Sequence, residues 1–481
     1  MLAQDRGDAE VWTMDGLYDA RREGMSPELV FDVTTLILRA HVRPTGIDRV
    51  QLETARVLAE EPSSRVQFCW YDASTRIYVR VDRPTVLESI EKMRGKGDPY
   101  GLDAGLDPGE GPSSLSNRLM EKLPPKVRST FPNALSHSRK AGGHMRQGAR
   151  EIIRTIRAAK FDVDTFRGRS LRDCYSKEWS TSTTYCSVGM DFSFNELHYL
   201  ASQRGKMGFR TAMTVYDILP VVTPQYSTME LSGYFSDLVE VADVILVISQ
   251  ATARDLVEFS NSRDLGVPSL VQLPLGSALI DLAPVAPRVV KDMSIDFILT
   301  VSTVTIRKNH HLLLDVWEML IDELGVTDVP RLVIAGRPGS LSAETMSRIE
   351  RTPAFRDVVL HLADASDEEL VWLYQNCRFS VYPSIYEGWG LPISESLDFG
   401  KVCLASDRSS LPEAGEGLAR LLHPFDRMSW KAEIKSFWFD NSLREQSERE
   451  IVTKHRHTSA RETAETILGL VKAPLPTDSC V

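Results

Sequence analysis

Residues 380–407, SVYPSIYEGWGLPISESLDFGKVCLASD, constrain the fold more tightly than any other stretch of this 481-residue chain. Apolar Phe379, Val381 and Tyr382 lead into Pro383 and Ser384, and Gly388 and Gly390 flank Trp389. Leu391 and Pro392 then open a segment with helical periodicity through Ile393, Leu397 and Phe399. Proline suits a first helical turn because its missing N–H would have no partner there. The pattern predicts strand, glycine loop and helix N-terminus, where free amides and the positive dipole end suit a phosphate. Glu387 precedes the loop and Glu395 lies about two turns further on. A carboxylate is repelled by phosphate but accepts hydrogen bonds from sugar hydroxyls. Together they describe a diphosphate held between two polyhydroxyl groups, a nucleotide-sugar. The alternative is an ordinary glycine turn opening a helix with exposed glutamates.

Glu387-Gly-Trp-Gly-Leu-Pro-Ile-Ser-Glu395 resembles the Glu-(seven residues)-Glu signature of retaining glycosyltransferases of family 4, which have the GT-B fold. The match includes the inner Gly-aromatic-Gly-Leu-Pro. The resemblance runs over most of the chain, strongest in its second half and weakest across 88–172. It implies an α/β protein of two Rossmann-like domains facing each other across a cleft. The expected divisions are an acceptor domain over 1–285 with an insertion at 88–172, and a donor domain over 286–440. A C-terminal crossover helix within 441–481 would pack back on the first domain.

Composition narrows the function classes. The net charge of −10 argues against a general nucleic-acid binder, which needs a dominant basic surface. No apolar run approaches the eighteen or so residues of a membrane span, and the N-terminus does not read as a secretory signal. Six scattered cysteines without a Cys-x-x-Cys pair point to reduced thiols and a cytoplasmic setting. From Arg118 to Arg172, Lys and Arg outnumber Asp and Glu by roughly three to one. That segment reads either as a peripheral contact with anionic lipid on the inner membrane face or as a solvated helical insertion. Asp162-Val163-Asp164 imitates a metal-binding Asp-x-Asp, and the GT-B resemblance speaks against that reading.

Strand and helix patterns alternate along both halves. ELVFDVTTLIL reads as a first buried strand, and Pro44, Thr45 and Gly46 precede an amphipathic helix. Thr45-Gly46-Ile47-Asp48-Arg49-Val50 resembles the Thr-Gly-Ile-x-Arg-Val of a bacterial subgroup of the family, whose turn lines the cleft. RVQFCWYDASTRIYVRV predicts a hairpin. FRTAMTV predicts a strand ending at Tyr216-Asp217, where active groups of open α/β sheets gather. Asp217 either takes part in the chemistry or caps the following loop. A Pro-rich linker is expected near 281–295, and a strand over 297–301 leads to Arg307-Lys308-Asn309 at a helix N-terminus. Two cations there are unfavourable for the dipole unless an anion joins them.

The resemblance implies transfer of a hexose, mannose-like favoured, from a nucleoside diphosphate with retention of anomeric configuration. It implies no bound metal or cofactor, and a GDP-sugar ahead of UDP- or dTDP-sugars as co-substrate. Lys308, Arg307 and the amides of Gly388, Trp389, Gly390 and Leu391 would stabilise the leaving diphosphate. Glu395 would hold the ribose and Glu387 the donor sugar; Gly46, Ser302, Gly336 and Leu362 would complete the donor site, and Asp217 would orient a reactant. The acceptor would be a glycan or lipid-linked glycan of a bacterial surface polysaccharide such as O-antigen or capsule. The competing readings are an epimerase-like enzyme of the same architecture and a non-catalytic binding subunit of a polysaccharide assembly.

Overall fold

The structure, a computed structural model, describes residues 28–39, 46–61, 65–72, 76–94, 178–189, 197–277, 279–287 and 296–472. Its strands form two sheets. The first contains β1 (Leu29–Asp32), β2 (Val66–Asp72), β3 (Ile77–Val81), β4 (Thr184–Ser187), β5 (Arg210–Val215), β6 (Val244–Val247) and β7 (Ser269–Gln272). Their order is β3-β2-β1-β4-β5-β6-β7. All pairs are parallel except β2 and β3, which form the predicted hairpin with Phe68 opposite Val81 and Asp72 opposite Ile77.

The second sheet contains β8 (Phe297–Val301), β9 (Arg331–Ala335), β10 (Val359–Leu362), β11 (Phe379–Tyr382), β12 (Cys403–Ser406) and β13 (Arg420–Leu422). It is ordered β10-β9-β8-β11-β12-β13 and is parallel throughout. Strand order reverses between β1 and β4 in the first sheet and between β8 and β11 in the second. Such reversals open a crevice at the carboxyl ends of the strands, where ligands of open α/β sheets bind. The two units are Rossmann-like and meet across that edge, in line with the α/β expectation.

Parallel strands are buried on both faces and therefore read as continuous apolar runs. Val30, Phe31, Ile298, Leu299, Leu332 and Val333 are fully buried accordingly. The His310–Leu324 helix lays Leu312, Leu313, Val316 and Leu320 into the second core, with Trp317 beside them. Burying each such side chain contributes about 1.5–3 kcal/mol.

The first expected strand is half helix. ELVFDVTTLIL is a strand only to Asp32, and Thr34–Arg39 is helical. The Asp32 carboxylate accepts the Thr34 N–H at 2.6 Å and also the Tyr185 hydroxyl. An N-terminal carboxylate cap thus overrides the β preference of two adjacent threonines.

Among the described residues the chain crosses between the units at one place. Ser277 N donates to Thr458 O at 3.2 Å, so the outgoing and returning segments run side by side. A Cβ at Gly276 would overlap the backbone of Ser459 and Ala460, and only glycine permits that approach. Leu279 already belongs to the second core, and Ile451 still does. The Asn441–Lys454 helix thus packs on the second core, and the Ala460–Lys472 helix packs Ala464 and Ile467 into the first.

The basic stretch 118–172, the Asp162-Val163-Asp164 sequence and Thr45 lie outside the described residues. Cys69, Cys186, Cys377 and Cys403 are buried, and Cys174 and Cys480 lie outside the described residues. Among the described residues no helix is long and apolar enough to cross a membrane.

Candidate active site

The loops after β8 and β11 flank the second reversal, and they are joined to each other. Ile385 N donates to Arg307 O at 2.9 Å. Asn309, in the left-handed region at φ +57°, donates its side-chain amide to Pro383 O and Pro424 O at 3.1 and 2.7 Å. Asparagine tolerates that conformation better than most residues. The turn therefore presents Arg307 and Lys308 to the glycine loop.

Both cations meet Glu387. Lys308 Nζ lies 2.5 Å from Glu387 Oε1, and Arg307 Nη1 lies 2.7 Å from Oε2. Oε1 also accepts from Ser384 at 2.6 Å and from the Tyr382 hydroxyl at 2.9 Å, while Lys308 donates to Tyr382 at 2.7 Å. Oε2 has one donor and keeps capacity for another. Burial by itself would raise the Glu387 carboxyl, but Arg307 and Lys308 hold it down at about 2. The same burial pushes Lys308 down to about 8 against the pull of Glu387. Glu387, expected from the resemblance at a sugar, is thus also the counter-ion of the two expected diphosphate cations.

Glu395 sits one helical face away and is 2% exposed. It accepts from the Tyr374 hydroxyl at 2.8 Å and from Arg49 Nη1 at 3.2 Å. Burial raises its carboxyl, opposed by Arg49 and Tyr374. Ser302 and Gly336 follow the carboxyl ends of β8 and β9, and Leu362 is the last residue of β10. Gly336 N donates to Leu362 O at 2.9 Å, and a Cβ at Gly336 would overlap Ser302 O. The three are thus in contact at the carboxyl edge of the second sheet.

The first unit supplies the opposite wall. Gly46 opens the Gly46–Glu60 helix and Leu391 opens the Leu391–Asp398 helix, and a Cβ on Gly46 would come within 2.9 Å of Leu391 Cδ1. Two helix N-termini, each carrying partial positive charge, thus meet at one point. An anion there would relieve their repulsion. Tyr216 and Asp217 press against Gly388. Asp217 Oδ1 accepts the Leu219 N–H at 3.0 Å, so it does cap the next turn. Burial raises the Asp217 carboxyl and Arg307 counters it. Trp389 is half-buried, donates its indole N–H to Ser394 Oγ at 3.1 Å, and lines a cavity of about 340 Å³ between the units.

Gly46, Asp217, Arg307, Lys308, Glu387, Gly388, Trp389, Leu391 and Glu395 therefore lie along the junction of the two units, while Ser302, Gly336 and Leu362 stand together at the carboxyl edge of the second sheet. Sequence reasoning assigned no site role to Tyr374, Tyr382, Ser384 or Arg49, which hold the two glutamates. Tyr382 ends a strand, a position that could have marked it; nothing local marks Tyr374. Glu413 was also missed: it accepts from Gln250 N and Ala251 N at 2.7 and 2.9 Å, capping the Gln250–Asn261 helix across the junction.

Two Rossmann-like units meeting over such a cleft define the GT-B class, and residues 287–451 match the family model Glycosyl transferases group 1. The match lies within the second unit, and the curated relatives which part of the chain resembles are mannosyltransferases. The chain is 27% identical over 230 residues to the serotype-specific mannosyltransferase WbdA of Escherichia coli, covering 45% of this chain and 28% of that protein. It is 28% identical over 262 residues to the O-antigen chain mannosyltransferase B of Escherichia coli, covering 53% of this chain and 66% of that one. The chain thus spans little more than a quarter of WbdA. Anabaena HepE, solved in complex with UDP and glucose, superposes with a TM-score of 0.54 at 13% identity over 92% of this chain and 99% of its own. That likeness concerns the fold.

Proposed function

We propose that this chain is a retaining, metal-independent hexosyltransferase that moves a mannose-like sugar from a nucleoside diphosphate, GDP favoured, to a glycan or lipid-linked glycan of a bacterial surface polysaccharide. The observation that carries the reading is the meeting of two helix N-termini beside Arg307 and Lys308, with two buried glutamates on either side. The matched family model and the mannosyltransferase relatives support the class of reaction and the sugar.

In this reading the diphosphate lies between the Gly46 and Leu391 helix ends. Lys308 and Arg307 neutralise charge as the glycosidic oxygen departs, the role of a preorganised electrostatic clamp. Glu395 holds the ribose hydroxyls, and the free capacity of Glu387 Oε2 takes a hydroxyl of the donor sugar. Ser302, Gly336 and Leu362 form the nucleoside rim. The departing phosphate accepts the acceptor's proton on the same face, which retains configuration, and Asp217 orients a reactant. Contact between the units excludes the water that would otherwise hydrolyse the donor. The basic stretch 118–172 would bring the protein to the inner membrane face.

The test is transfer from GDP-mannose to a lipid-linked glycan in the presence of a chelator, with the product's anomeric configuration read by NMR. An α-linked product from the α-donor, formed with chelator present, supports the reading. An inverted product or a strict metal requirement contradicts it. Release of a free epimer without an acceptor would favour the epimerase-like alternative.

A further inference from the structure

We propose that Arg49 is a positioning residue that reaches from the first unit to complete the ribose site of the second. This rests on the reading of Glu395 as the ribose ligand and adds the residue that makes that ligand competent.

Arg49 lies one turn into the Gly46–Glu60 helix, while Glu395 and Asp367 belong to the second unit. Its Nη1 is 3.2 Å from Glu395 Oε1 and 3.9 Å from Asp367 Oδ1, so a single guanidinium faces two carboxylates across the junction. Tyr374 holds the other oxygen, Oε2. An ionised carboxylate has about four acceptor sites. With one donor on each oxygen, two remain, the number that a vicinal diol needs. Arg49 Nε is buried and makes no hydrogen bond, leaving a donor for a further oxygen once the surroundings rearrange. A buried donor left unpaired is unfavourable, and the guanidinium is held here by its carboxylates and not by a full set of partners.

Glu395 is nearly sealed while the units touch. A nucleotide therefore enters when they part and Arg49 withdraws with the first unit. When they meet again the guanidinium returns to the same carboxylate, keeps it ionised, and fixes its free acceptor sites toward the ribose. Ribose binding and closure are then thermodynamically linked, each favouring the other. Burial pushes the Glu395 carboxyl upward, and the groups facing it are Arg49 from the first unit, Tyr374 and Asp367 from the Asp367–Asn376 helix, Asp398 from its own helix and Tyr382 from β11. Arg49 is the cation among them.

The experiment measures GDP and UDP affinity calorimetrically for the full chain and for Arg49→Met, Arg49→Lys and Glu395→Gln between pH 6 and 8, with the melting temperature of each. Ratios to wild type at each pH cancel the titration of Lys308. The expected ratio for Arg49→Met is about tenfold weaker or more, the scale of one lost charge-assisted hydrogen bond, and the loss is larger at low pH than at high, because burial then raises the Glu395 carboxyl with no cation opposing it. Arg49→Lys restores the charge and should recover most of the loss, and it serves if Arg49→Met does not fold. Glu395→Gln should be weak without pH dependence in its ratio. Wild-type affinity of Arg49→Met across the range, with Glu395→Gln weak, overturns this inference alone. Wild-type affinity of Glu395→Gln overturns the ribose assignment beneath it. A weakening of Arg49→Met that is constant with pH and tracks a lowered melting temperature reduces Arg49 to a structural contact and also overturns the proposal.

Discussion

Gly388 packs so closely on Tyr216 that a Cβ at position 388 would overlap the Tyr216 carbonyl oxygen and come within 3.1 Å of Asp217 Cβ. The glycine loop of one unit thus touches the strand end of the other through bare backbone. The Thr252 hydroxyl lies 3.3 Å from Tyr216 O and 3.4 Å from Gly388 O, marking the same seam. Gly388→Ala should therefore hold the units apart. We expect turnover to fall at least a hundredfold, the scale of a misplacement of about 1 Å. The melting temperature should change little, because each unit keeps its own core. Steady-state kinetics and small-angle scattering check this.

Lys308 and Arg307 should differ in weight. Lys308 is buried against Glu387 and Tyr382, whereas Arg307 also bonds the Tyr386 carbonyl. Lys308→Ala is expected to cut turnover more than Arg307→Ala, by about tenfold or more, with nucleotide affinity reduced in both. The reverse order in kcat would place the diphosphate elsewhere.

The Lys308 shift also fixes a pH dependence. Its ammonium, lowered to about 8 chiefly by burial, is charged below that pH and neutral above it. Nucleoside diphosphate affinity should therefore be full near pH 7 and decline as pH rises through about 8. The decline should vanish in Lys308→Ala. Calorimetric titrations across pH 6.5–9.5 test the sign.

Glu413 caps a helix of the other unit with both carboxylate oxygens. Loss of a cap costs about 0.5–2 kcal/mol, and here the cost falls on the contact between units. Glu413→Ala should leave both units folded but shift the scattering profile toward a more extended particle. An unchanged profile would show that the seam at Gly388 suffices.

Gly276 is the structural counterpart at the chain crossing. Gly276→Val forces a branched side chain onto the Ser459–Ala460 backbone and should destabilise by about 1–3 kcal/mol or more, read as a lowered melting temperature.

Much of this was legible in the sequence because buried parallel strands are apolar runs and glycine loops mark their ends. The strand–loop–helix of 379–398 and the hairpin at β2–β3 follow local rules. The short helix at Thr34–Arg39 was not legible, since the Asp32 cap is oriented by Tyr185, 153 positions away. The same is true of Arg49 on Glu395, separated by 346 positions. Pairings of that range depend on how the two units dock, and no periodicity within either segment encodes them.

The central claim is that a nucleotide-sugar occupies the meeting point of the two helix ends. Thermal stabilisation of the full chain by GDP-, UDP-, dTDP- and ADP-sugars, in chelator, tests it most directly. A ligand at about 100 times its dissociation constant adds roughly 2.7 kcal/mol, a readily visible rise in melting temperature. The account predicts a clear rise with one base, GDP first, and its loss in both Lys308→Ala and Glu395→Ala. Stabilisation that survives in both variants would contradict it.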